Sequence, residues 1–246
     1  TEYYKMPCER NEKTVTWVLS NDFISKIRES LDRDKIEIAG KILFKDEETC
    51  KKDVCNKKST EFKINRGNED SVATPHGIVN FHTHPKKCYI DANTVYGWPS
   101  GEDIYQCIAF ARKDNLIHIV FTLEGAYIIK VNKIINSSQS KMVENILKYT
   151  HEFRGPNPKK QNELFQSMIS ILKLRKQSNP VNTWINLMNN MSLKNIYILH
   201  NHKFKNNLTI PSDNTKVLSV KLVKYGKTIK FNTNYISEVC HKKSFQ

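Results

Sequence analysis

No stretch of the 246-residue sequence approaches the roughly 18 consecutive apolar residues that a membrane helix requires. The most apolar run, Leu116 to Val131, is interrupted by Glu124 and Gly125, so no membrane span is expected. The first residues, Thr1-Glu-Tyr-Tyr-Lys5, lack the apolar core of a secretory signal, and a reducing cytoplasmic setting is the expectation, or a virion if the source is viral. Cysteine is sparse. Cys8, Cys50, Cys55, Cys88, Cys107 and Cys240 are scattered too widely to form the disulfide framework of a small secreted domain and read as mostly free thiols. Cys50 and Cys55 could clip a hairpin or hold half a metal site, yet no second close Cys/His pair stands nearby.

Acidic residues are scarce in one part of the chain only. Residues 1–150 hold 23 Lys and Arg against 21 Asp and Glu, whereas residues 151–246 hold 16 against 4, so the net charge of +14 belongs almost wholly to the C-terminal part. Such a surface suits an acidic protein partner, nucleic acid or an anionic membrane surface, and a dispersed basic shell that aids solubility is the plain alternative. What is present in quantity is core material: 39% apolar and 10% aromatic residues suffice for one large domain or two modest ones. Usage rich in Lys, Asn and Ile fits an AT-rich genome such as that of a large DNA virus or a protist.

Val15 to Leu19 reads as a short strand. Ser20-Asn-Asp then caps a helix over 21–31, whose Phe23, Ile24, Ile27 and Leu31 share one face. Ile36–Phe44, Glu61–Asn65 and Gly77–His82 read as strands, with a charged loop or hairpin tip over 45–60. Pro99-Ser-Gly-Glu-Asp103 is a helix start, in which Ser100 caps backbone N–H groups and the acids face the positive end of the dipole. Leu116–Leu123 and Ala126–Val131 form a hairpin, and Ser138–Phe153 a further amphipathic helix. Gly155-Pro-Asn-Pro breaks regular structure where the charge balance changes, which places a boundary between a unit at 1–154 and a basic α+β unit at 155–246. Beyond it, 162–176 and 181–191 read as helices, and 195–199, 217–223 and 228–231 as strands.

His82-Thr-His84 follows a strand, and histidines at i and i+2 of an extended chain point to the same side, so both can reach one ion. His200-Asn-His202 repeats the spacing with no carboxylate close behind it and reads as a loop or strand end. The first pair gains weight from Asp103, a carboxylate held in the first turn of a helix that completes a three-ligand set and leaves a position for water. Water acidified by a metal still needs a base to take its proton and return it to a leaving amine, and Glu37 on the upstream strand is the candidate. His118 falls in an apolar strand and reads as a hydrogen-bonded core residue. His76 precedes the strand that leads to the site and is placed at its rim, and His151 and His241 have no context that supports a role.

Glu37-Ile-Ala-Gly-Lys-Ile-Leu43, His82-Thr-His84-Pro85 and Pro99-Ser100-Gly-Glu-Asp103 together resemble the JAMM (MPN-plus) metalloprotease family over about residues 15–150. That resemblance implies an α/β (α+β) fold with a mixed sheet flanked by helices. It also implies Zn2+ on His82, His84 and Asp103, Glu37 as general acid/base, and Ser100 stabilising the oxyanion. The sequence departs from the family in having fifteen residues between His84 and Ser100, about twice the usual number. The added segment, with Tyr89, Ile90, Tyr96 and Trp98, reads either as a loop that selects or gates substrate or as one that packs on a partner or on the C-terminal part.

The expected activity is therefore cleavage of an amide bond, with ubiquitin, a ubiquitin-like modifier or a peptide as substrate. Two other readings stand beside it. One is a structural or interaction protein of a large assembly, in which the JAMM-like part is a scaffold and the basic part binds the partner. The other is a nucleic-acid-associated protein; residues 151–246 carry no zinc finger, glycine-rich clamp or helix-turn-helix signature, so only salt-dependent, sequence-indifferent binding is expected.

Overall fold

The computed structural model describes residues 8–44, 54–66, 74, 78–113, 115, 117–151 and 154–240. Its class is the mixed α+β arrangement that the residue pattern suggests. In chain order the elements are β1 (Cys8–Val18), α1 (Asn21–Arg33), β2 (Ile38–Phe44), β3 (Val54–Arg66), β4 (Val79–Thr83), α2 (Lys86–Asp91) and α3 (Gly101–Ala111). They continue as β5 (Ile117–Phe121), β6 (Ala126–Val131), α4 (Ser137–His151), α5 (Pro158–Ile171), α6 (Pro180–Met188), α7 (Leu193–Phe204), β7 (Leu218–Val223) and β8 (Lys230–Cys240). The strands form one eight-stranded sheet in the order β7-β6-β5-β4-β2-β3-β1-β8.

The central strands explain the layering. All five residues of β4 and all five of β5 are buried, as expected of neighbouring parallel strands covered on both faces. Alternation sends Phe81 and Phe121 to one face, where they meet Phe23 of α1 edge to face at 5.4 and 5.7 Å. Ser20 starts α1 by accepting a hydrogen bond from the Phe23 amide, and Ile27 and Leu31 continue the buried face. On the other face Val120, Tyr127 and Ile129 pack with Ile104, Ile108, Val143 and Leu147 of α3 and α4 and with Phe165, Trp184 and Ile196 of α5 to α7. The sheet is thus sandwiched between helices.

Residues after Gly155 are built into these same layers: β7 pairs with β6, β8 pairs with β1, and α5 to α7 share the core of α3 and α4. The segment between His84 and Ser100 contains α2, and its Trp98 is fully buried against Trp184 and Phe165, so that end packs on the C-terminal helices.

Several local expectations are corrected. Residues 195–199 belong to α7 and not to a strand: Ser192 accepts from the Asn195 amide as N-cap, and Leu193, Ile196 and Leu199 repeat at helical spacing on the buried face. His200 and His202 therefore lie on a helix, where i and i+2 diverge, and they form no ligand pair. Residues 54–60 are strand, not loop, and the last strand runs from Lys230 rather than over 228–231. Cys50, His76 and His241 lie outside the described residues. No helix among the described residues is long and apolar enough to cross a membrane.

Candidate metal centre

The site is assembled at the end of β4. The antiparallel register that sets Ala39 of β2 opposite His82 carries Glu37, just ahead of β2, toward His84, just beyond β4. Thr83 fastens this corner, because its hydroxyl accepts from the Ile38 amide at 3.0 Å. His84 is held by its own amide, which donates to the Phe121 carbonyl at 2.9 Å and continues the parallel ladder with β5.

Asp103 comes from α3. Its carboxylate accepts from the Ser100 amide at 2.8 Å while the Ser100 hydroxyl accepts from the Asp103 amide at 3.0 Å, a reciprocal cap that fixes the first helical turn. Gly101 lets that turn approach α4, since a Cβ there would stand 2.8 Å from the Glu144 carbonyl.

His82, His84 and Asp103 each present one ligand atom, and all three atoms lie within 4.8 Å of one another. The two Nε2 atoms are 3.1 Å apart, and Asp103 carboxylate oxygens lie 3.4 Å from His82 Nε2 and 3.3 Å from His84 Nε2. Both imidazoles are buried. Glu37 stands 3.9 Å from His84 Nε2, so the four expected residues converge, and Ser100 lines the same cleft of about 830 Å³.

The partners of the other ring nitrogens decide what this convergence can do. His84 Nδ1 is 2.7 Å from the Gly97 carbonyl, which can only accept, so Nδ1 carries the hydrogen and Nε2 of the neutral ring offers a lone pair to the centre. Two imidazoles facing each other at Nε2 beside a carboxylate need a cation between them, either a proton or a metal. Burial alone would raise the Asp103 pKa, but the His82 and His84 rings, by charge and hydrogen bond, more than offset it and hold the carboxyl well below the usual range. Two imidazole nitrogens and one carboxylate with an open side suit zinc, whereas calcium or magnesium would call for an all-oxygen set.

The segment between His84 and Ser100 supports His84 directly. Glu124 accepts from the Gly97 amide at 2.9 Å and from the Tyr127 hydroxyl at 2.8 Å, and the Tyr89 hydroxyl donates to it as well. The Gly97 peptide is thus clamped on one side by Glu124 and holds His84 on the other. A Cβ at position 97 would run into the Tyr89 phenol, which would have to move from its place. Burial and the adjacent Glu124 carboxylate push the Tyr89 phenol upward, which keeps it a hydrogen donor. Arg154 donates to the Trp98 carbonyl at 3.1 Å and lines the cleft.

His118 is the hydrogen-bonded core residue that its strand context suggests, and one of its partners is His82. Its Nε2 lies 2.7 Å from His82 Nδ1 and its Nδ1 lies 2.7 Å from Asn80 Oδ1. Burial pushes the His118 pKa well below the ordinary histidine value, so the ring is neutral. Asn80, Gly97, Tyr89 and Glu124 were not legible as site residues, because each acts through a tertiary contact that no local spacing announces.

No family model matches the chain, and no solved structure matches it. It is similar to "Uncharacterized protein 3R" of Frog virus 3 (isolate Goorha), with 36% identity over 64 residues, a stretch that covers 26% of this chain and 14% of that protein.

Proposed function

We propose that this chain is a zinc-dependent hydrolase of the JAMM kind that cleaves an isopeptide or peptide bond. The observation that carries the reading is the convergence of His82 Nε2, His84 Nε2 and Asp103, with Glu37 at 3.9 Å, at the floor of an open cleft. Zinc in this position supplies Lewis acidity, lowering the pKa of a water and polarising a carbonyl.

The chain's own groups supply the rest. Glu37 takes a proton from the attacking water as the C–O bond forms, then delivers it to the nitrogen as the C–N bond breaks, so the amine leaves neutral. Ser100 spends an acceptor lone pair on the Asp103 amide and keeps its O–H to donate to the developing oxyanion. His82 and His84 are buried and fixed, so the site is preorganised before substrate arrives. The donor set alone also suits ferrous iron. A second carboxylate beside the three ligands, Glu37 at 3.9 Å from His84 Nε2 and placed to move a proton, is what favours hydrolysis over oxygen chemistry.

Ubiquitin or a ubiquitin-like modifier is the substrate class that the family resemblance supports, and Zn2+ the cofactor. The excess of Lys and Arg after residue 155 would favour an acidic partner or nucleic acid.

Chelation and restoration test the reading. Cleavage of ubiquitin-chain and modifier-fusion substrates is expected to stop when zinc is stripped and to return on adding about one equivalent of Zn2+. Cleavage that survives complete chelation, or that returns with iron and not with zinc, would contradict it.

A further inference from the structure

We propose that His118 and Asn80 are positioning residues that fix which nitrogen of His82 faces the metal; this rests on the metal-centre reading above. His82, His118 and Asn80 form a run: His82 Nδ1 to His118 Nε2 at 2.7 Å, then His118 Nδ1 to Asn80 Oδ1 at 2.7 Å. All three residues are buried, at 5%, 3% and 0% exposure, so bulk water does not reset the ring orientations.

A neutral imidazole has one N–H and one acceptor nitrogen, so such a run has a direction. The Asn80 carbonyl oxygen only accepts, so His118 Nδ1 carries the hydrogen and His118 Nε2 is left as acceptor. His82 Nδ1 must then donate to it. His82 Nε2 is consequently bare and aimed at His84 and Asp103, which is the state a ligand requires. The opposite direction would place an N–H on His82 Nε2 and block coordination.

The sheet builds this run. In the parallel pairing of β4 with β5, Asn80 stands opposite His118, and Asn80 and His82 share the face that His118 occupies. The His118 ring also lies against that of His82, with centroids 4.9 Å apart and planes 30° apart, which limits rotation of the ligand. His84 is held separately, through Gly97. Each histidine of the centre thus has its own anchor, one from β5 and one from the segment between His84 and Ser100.

Two measurements test the relay. Long-range 15N–1H NMR of the metal-free wild-type protein at mildly alkaline pH is expected to show His82 and His118 both protonated at Nδ1. His82 protonated at Nε2 with Nδ1 bare would overturn the proposal. In chelator competition, His118→Phe is expected to weaken zinc binding about 10- to 100-fold. His118→Gln, whose amide oxygen replaces the lost acceptor, is expected to recover most of it. A folded His118→Phe protein that binds zinc as tightly as wild type, or His118→Gln no better than His118→Phe, would overturn it too. Failure of the wild type to bind zinc would instead count against the metal centre, with the tautomers still deciding the relay; and the NMR result stands if His118→Phe does not fold.

Discussion

Glu37→Gln is expected to keep zinc at the wild-type level and to lose about 10²- to 10⁴-fold in cleavage rate. The separation follows from where Glu37 sits. It comes from the residue just ahead of β2, outside the three ligands, and reaches only to 3.9 Å of His84 Nε2. An amide of the same shape keeps the packing but cannot accept a proton from water. Metal affinity should therefore barely change while the proton path is lost. Measuring zinc stoichiometry and single-turnover cleavage on the same preparation checks both halves. Loss of zinc in Glu37→Gln would make Glu37 a ligand, and unchanged cleavage would remove it from the chemistry.

Trp98→Ala should be the most destabilising single truncation near the site, at about 3–5 kcal/mol. Trp98 is fully buried, lies 5.6 Å from the Tyr96 ring and 6.2 Å from that of Trp184, and touches Phe165. Its indole N–H has no hydrogen-bond partner among the described residues, so the loss is one of transfer and cavity terms. The consequence reaches the centre because Pro99 and the Ser100 cap follow directly, and they set where Asp103 stands. Thermal unfolding with and without zinc measures it. A lowered midpoint in metal-free protein together with weakened zinc binding is the expected pair, whereas a change below about 1 kcal/mol would mean that the segment between His84 and Ser100 is not anchored through this residue.

The three residues that converge at the candidate centre, His82, His84 and Asp103, were readable because each has a local signature. Histidines at i and i+2 of a strand share a side, and an Asp three residues after a helix-capping Ser is held in place by that cap. Glu37 was reachable through the motif, and its approach to His84 is then a matter of strand register. What supports the ligands was not readable. Asn80 meets His118 only through the parallel pairing of β4 with β5, and residues 38 apart in sequence leave no periodic trace of that register. Glu124 looked like a turn residue, and its role as the clamp on Gly97 depends on Tyr89 arriving from α2.

The α7 error has a similar cause. Ile196, Tyr197, Ile198 and Leu199 are a β-favouring run, and tertiary burial of Leu193, Ile196 and Leu199 on one side decided for helix. The charge shift and the prolines near 155 fall between α4 and α5. They carry no information on how the later strands pair, which is with β6 at one edge of the sheet and β1 at the other.

The metal content of the purified protein decides whether His82, His84 and Asp103 hold zinc. Wild-type protein and His82→Ala, both verified as folded by circular dichroism, would be equilibrated with limiting zinc, desalted and analysed for zinc and iron. About one zinc per wild-type chain and none retained by His82→Ala is the expected result. Folded wild-type protein that retains no zinc, or His82→Ala that retains as much as wild type, would contradict it.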